Sequence, residues 1–370
     1  MMRHIANALY ERATDGAHSV YKRAADGTPQ YDLPSWSWAV ILADFIVFLP
    51  LILILTYTIQ TVYPIFAIVE DENPPAYDPV NLNEDDAADV PGVGPIPPKP
   101  TGGRPTTVTS SLRSINRLLT SNGGWRANFR GFFCMLAQGI ATAVLYGVFS
   151  AFLPNILASL ATLLAALSLV QLSTAWVHIV ITPRSPLHFW SRLPPFKRTF
   201  DATARPVAAY WLATQVATWV PIAVGWALGL DLPNFRFGAP TTTVPGTEPQ
   251  NSDAWKSIVI TLISIAFHIL VVIPAEVVLV RVQASLLPEE SDTIIPFDRS
   301  FEGKVEPRVV GGKGYATMGQ AWATFSRAAW KRLVILYAKV IAVSAAGFLL
   351  MAAVIIPEVI LMASKSTPKN

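Results

Sequence analysis

In six stretches of this chain the apolar residues run together instead of alternating with polar ones. They are Trp38–Phe66, Phe132–Leu153, Ile156–Ile181, Val207–Leu230, Trp255–Val280 and Leu333–Ala363. A helix needs about 20 mostly apolar residues to cross a bilayer, and each run meets that length. Strands of a membrane barrel would alternate, so continuity predicts helices. The first run opens at a Trp36/Trp38 interfacial anchor, is kinked by Pro50, and carries Asp44 as a solvated interfacial acid. The pattern predicts an all-α integral membrane protein.

Shorter periodic stretches lie between the runs. In Ser110–Leu119, Leu112, Ile115, Leu118 and Leu119 share a stripe that leaves out Arg113 and Arg117, which predicts a short surface helix. Tyr315–Arg327 repeats the idea with Met318, Trp322 and Phe325. At the N-terminal extension, residues 1–36, Ile5, Leu9 and Tyr10 fit one face of a surface helix or a frayed terminus. Residues 364–370 form a C-terminal tail.

Composition agrees with a membrane protein. Hydrophobic residues make up 52% and charged residues 14% of the 370, against roughly 25% charged in soluble domains. Nineteen of the 28 Lys and Arg fall in the Glu70–Gly131, Pro183–Pro206 and Arg281–Arg332 loops. By the positive-inside bias these odd-to-even loops face cytoplasm or matrix, and both termini face the other way. The single cysteine, Cys134, excludes a disulfide framework and a cysteine metal site.

The first loop also changes character. Residues 70–107 are acidic, proline-rich and unable to build a core, which predicts a disordered linker. Within it Pro74-Pro75-Ala76-Tyr77 is a PPxY sequence, the kind of ligand that WW domains dock in aromatic grooves. A ubiquitin-ligase type of WW protein is the expected partner if this loop is cytosolic.

Span, basic loop with a surface helix, then span: the unit recurs three times, as residues 38–153, 156–230 and 255–363. Trp125-Arg126 before the second span corresponds to Trp330-Lys331-Arg332 before the sixth, and Trp190 with F-K-R-T-F-D from Phe196 stands before the fourth. After the fifth span comes I-P-A-E-V-V-L-V-R-V-Q-A, Ile273–Ala284. These features resemble the mitochondrial carrier family, marked by Pro-x-Asp/Glu-x-x-Lys/Arg-x-Arg at the end of each odd helix. Pro274, Glu276, Arg281, Gln283 and Ala284 fall in register, while Leu279 stands where a base belongs. The glycine-rich second half of the mark is kept in Gly123–Gly131, with Gly124, Trp125 and Gly131 as structural positions. The first repeat keeps Pro64 and has no acid or base in register until Glu70; the second has Ser173, Ala175 and His178 for proline, acid and base.

The resemblance implies three pseudo-repeats of two spans, transport of a small solute, and a mitochondrial membrane. That is the inner membrane for a matrix-facing linker, and an outer mitochondrial or endomembrane for a cytosolic one. The family's ring of six charges cannot form from these residues. Glu276, Arg281, Gln283, Lys339 and His178 are the substrate or gate candidates, with an anionic solute consistent with the basic face. Glu276 has two readings: a functional intramembrane acid, with Lys339 its nearest partner, or a helix-end acid snorkelling to headgroups. His178 and His268 read as packing residues or as ligands. Nothing matches an enzyme motif, a cofactor or metal site, or a nucleic-acid module, so the alternative to transport is a membrane scaffold acting through Tyr77.

Overall fold

A computed structural model describes residues 31–71, 107–154, 157–229, 254–306 and 311–368, apart from positions 33, 289 and 366. The N-terminal helix expected around Ile5–Tyr10 and the PPxY residues Pro74, Pro75 and Tyr77 lie outside the described residues. The chain divides into two compact units, residues 1–53 with 345–370, and residues 54–344.

In the first unit, α1 (Ser37–Leu53) is apolar apart from Ser37 and Asp44. Its Phe45, Ile46 and Val47 are exposed, as are Leu349 and Leu350 of the last helix, giving the unit a surface suited to lipid. A two-residue ladder pairs Tyr31–Asp32 (β1) with Thr367–Pro368 (β2), antiparallel. Asp44, expected to be solvated, lies within hydrogen-bonding reach of the Glu358 carboxyl.

The second unit holds most of the helices. A π-helical stretch, Ile54–Val62, leads into α2 (Tyr63–Val69). After the linker come α3 (Leu112–Ser121), a 3-10 stretch (Gly124–Phe129) and α4 (Phe132–Phe152). Next are α5 (Ala158–Ser168), α6 (Val170–Ile181) and α7 (Phe196–Ala227). Then α8 (Ala254–Phe267) passes through a second π-helical stretch, His268–Val272, into α9 (Ile273–Ser285). The six-residue α10 (Met318–Ala323) precedes α11 (Arg327–Ser364), which leaves this unit after Ser344. Among the described residues five helices are long and apolar enough to cross a membrane, and α5 with α6 makes a sixth if that pair, bent by 59°, is one span.

Each odd span changes geometry before its end, for a reason visible in its residues. Proline has no N–H to continue the α-helical ladder, and a π turn absorbs the mismatch. Pro64 and Pro274 each stand at the start of the α-helix that follows a π stretch. Taken as the third span, α5 with α6 has Ser173 instead of proline and bends at Leu169, whose carbonyl accepts from Leu172 and Ser173.

Three boundaries differ from expectation. Helix α3 starts at Leu112 because Ser111 caps it, accepting from the Arg113 amide. Helix α10 is short, set by a Thr317–Gln320 capping box. Helix α7 begins at Phe196, so F-K-R-T-F-D forms the first turns of the fourth span, and the second loop carries only the 3-10 turn Phe189–Arg192.

The core sits at the basic-loop end of the second unit. There Phe66, Ile68 and Val69 of α2 meet Val177, Val180 and Ile181 of α6 and Ile273, Val277 and Ala284 of α9, all nearly inaccessible. Ile115 and Leu119 of α3 and Leu333, Leu336 and Val340 of α11 close around them. Toward the other end Ile140, Ile258 and Leu262 are mostly exposed, as lipid-facing side chains are.

Gly131 fixes where α4 starts. Its φ of 75° is left-handed, and an added Cβ would lie 3.1 Å from the Trp176 ring and 3.2 Å from the Tyr57 hydroxyl. Gly131→Ala is expected to cost about 1–3 kcal/mol. Gly139→Ala, with no atom within 4 Å of the new Cβ, should stabilise by up to ~1 kcal/mol. Thermal unfolding of the two purified variants checks the contrast.

Candidate functional site: the layer that closes the odd spans

Arg281 has 1% of its surface exposed, and a charge so buried must be paired and hydrogen-bonded. It is. One terminal nitrogen lies 3.2 Å and the other 3.3 Å from Asp71 Oδ1. The same two nitrogens donate to the Ile68 carbonyl at 3.3 Å and to Thr324 Oγ1 at 3.1 Å. The rings of Phe301 and Phe325 flank the guanidinium at 5.1 and 5.6 Å. Asp71 lies just past the first span, and burial pushes its carboxyl above the usual range, with Arg281 opposing that shift. Its second oxygen accepts from the Asp298 amide at 2.8 Å.

A second set of contacts joins the third and fifth spans. His178 Nε2 lies 2.8 Å from the Gln283 carbonyl, an acceptor, so this nitrogen carries the hydrogen. The Gln283 amide nitrogen donates to Ser173 Oγ at 2.8 Å. His178 therefore both packs in the core and links two spans.

A third set ties the first span to the last. The Glu70 carboxylate accepts from the amides of Val108 and Thr109 and from the Thr109 hydroxyl, and lies 3.6 Å from Arg332. Arg130 likewise crosses between elements, donating to the Thr182 carbonyl at 2.7 Å and the Asn122 carbonyl at 3.3 Å, while the Tyr57 hydroxyl donates to the Arg130 carbonyl. Gly124, at φ 61°, turns the chain before Trp125, which is exposed and edge-on to Phe129.

Thus Gln283 and His178 come together, Arg281 pairs separately with Asp71, and two other candidates join neither group. Glu276 accepts from the Tyr337 hydroxyl at 3.0 Å, and Lys339 donates instead to the Ser110 carbonyl at 3.2 Å. The expected Glu276–Lys339 pair fails on helical phase. Two residues turn a helix by about 200°, so when Tyr337 faces Glu276, Lys339 faces away. Asp71 is the partner that sequence reasoning missed. It follows Pro64 by seven residues, as Arg281 follows Pro274; carrying the register one step past Glu70 finds it.

Beside the layer lies a pocket of about 700 Å³, lined by Arg126, Arg130, Arg184 and Arg192 and by no carboxylate. Arg192 donates to Thr182 Oγ1 at 2.7 Å, and burial pushes its guanidinium down from the usual value. Among the described residues no group of three His, Cys, Asp or Glu side chains is placed to hold a metal ion.

No family model matches this chain, and no curated protein or solved structure is significantly similar to it. Its helices define a multi-pass membrane protein of helical class.

Removing one partner of the buried pair should be costlier than removing both. Asp71→Asn leaves Arg281 buried without a counter-charge, a loss of about 3–5 kcal/mol. Adding Arg281→Met should recover part of that loss. Denaturation midpoints of the single and double variants decide; additive losses would show that the two side chains do not act as a pair.

Proposed function

We propose that the chain is a divergent carrier-fold protein of a mitochondrial membrane that moves a small anionic solute by alternating access. One observation carries the reading: the odd spans each change geometry before their ends, through a π stretch in the first and fifth and a 59° bend in the third, and those ends share one layer with polar contacts between spans. A gate needs contacts that are specific when shut and dispensable when solvated. Here one charge pair and the Ser173–Gln283–His178 chain take the place of a ring of six charges. On opening, water takes over both partners of the Arg281–Asp71 pair, so neither charge is left bare. The repeat organisation expected from the sequence is part of this proposal, as is the placement of the basic loops on the matrix or cytosolic side.

The arginine-lined pocket favours an anion. Four guanidiniums without a facing carboxylate attract negative charge and repel cations. Arg126 and Arg184 are exposed at its mouth. Purified full-length protein in liposomes should take up small carboxylate or phosphate anions faster than protein-free liposomes. Arg126→Gln with Arg184→Gln should lower uptake at limiting solute by about 10-fold, and added salt should shrink the difference. No uptake of any anion by folded protein would sink the transport reading.

The scaffold alternative rests on the Pro74-Pro75-Ala76-Tyr77 sequence. It expects a WW-domain protein to be retained by the full chain and lost on Tyr77→Ala.

A further inference from the structure

We propose that residues 294–301 form a strap that locks the basic-face ends of the three odd spans shut, with Asp71 as its pin. This rests on the carrier reading for its purpose, but not for its geometry. The loop after the fifth span does not run free; it crosses the closed layer and touches every odd span. The Ile294 amide donates to the carbonyl of Ile181, the last residue of α6, at 2.9 Å. The Asp71 amide, just past α2, donates to the Pro296 carbonyl at 3.0 Å. Phe301 lies against the Arg281 guanidinium of α9. Between these points Ile295, 2% exposed, enters the same core as the ends of α2, α6 and α9.

The strap is also shaped in advance. Asp298 accepts from the Ser300 amide at 2.8 Å, the Ser300 hydroxyl at 2.6 Å and the Glu302 amide at 2.7 Å. These bonds hold Phe301 and Glu302 at φ of 50° and 58°, a left-handed pair that L residues rarely adopt. Arg299 reaches back to the Pro288 carbonyl at 2.7 Å, anchoring the strap to the end of the fifth span. A loop selected only to connect two helices does not need such bonds.

Asp71 couples strap to gate. One of its oxygens takes Arg281 and the other takes the Asp298 amide. The ends of the first and fifth spans therefore cannot part without releasing the strap, and the strap cannot lift without loosening the charge pair. In Asp71→Asn the side-chain nitrogen faces one of these two donors, so one of the two bonds must go.

The test uses full-length protein with Cys134→Ser and one added cysteine, labelled by N-ethylmaleimide. Val277→Cys reports on the core behind the strap, and Ala161→Cys reports on a buried position in α5; both positions are inaccessible in the native chain. The strap predicts slow labelling at 277, sped by about 10-fold or more on Asp71→Asn or Ile295→Ala, with position 161 unchanged. Fast labelling at 277 without those substitutions overturns the proposal. So does unchanged labelling with them, or equal acceleration at 161, which marks general unfolding. Selective acceleration at 277 in protein that takes up no solute would keep the strap and discard the transport reading.

Discussion

A buried guanidinium imposes more on this fold than any other single group. Arg281 sits where three helix ends meet, out of reach of water, and its charge is tolerable only with a counter-charge and further acceptors. That requirement draws in Asp71 from beyond the first span, the Ile68 carbonyl from within it, and Thr324 from the stretch before the sixth. Phe301 and Phe325 then exclude water from the flanks. The convergence of helix ends and the pairing of this one charge are the same arrangement seen from two sides.

The backbone prepares the ground for it. Straight helices in a bilayer would carry their ends apart or past each other. The π stretches before Pro64 and Pro274, and the 59° bend at Leu169, fall just before the last turns of the odd spans, and those turns share a common core. The resulting stability is uneven: dense apolar packing lies at the loop end, and lipid-suited surface lies elsewhere in the second unit. A molecule built this way has its specific contacts concentrated where opening would occur.

The spans were legible because a bilayer demands long apolar runs whatever the fold, and α3 was legible from the stripe containing Ile115 and Leu119. The start of α7 was not, because its first turns are polar and basic, and Pro206 fits within the helix although it reads as a breaker. Of the candidate site, Arg281, Gln283 and His178 stood out as polar residues at the ends of apolar runs. Their partners did not. Asp71 is 210 residues from Arg281, and Lys339 was a reasonable partner for Glu276 by depth but on the wrong side of its helix. The strap left no mark, since its ties to Ile181 and Asp71 include backbone-to-backbone bonds that any sequence supplies, and the side chains that shape it, Asp298 and Arg299, form no pattern of their own. Residue type predicts what must be satisfied; it does not name what satisfies it.

The central claim is that the third and fifth spans meet through Ser173 and Gln283 in the membrane-embedded protein. Cysteine cross-linking tests it directly: Ser173→Cys with Gln283→Cys, in a Cys134→Ser background, treated in native membranes with a short bifunctional thiol reagent, because cysteines that replace a long glutamine and a serine need a spacer to meet. A cross-link within one chain, identified by mass spectrometry of the joined peptides, is the predicted result, with none from the control pair Ile140→Cys and Gln283→Cys. No intramolecular link at 173 and 283, with both thiols freely labelled, would contradict the closed layer.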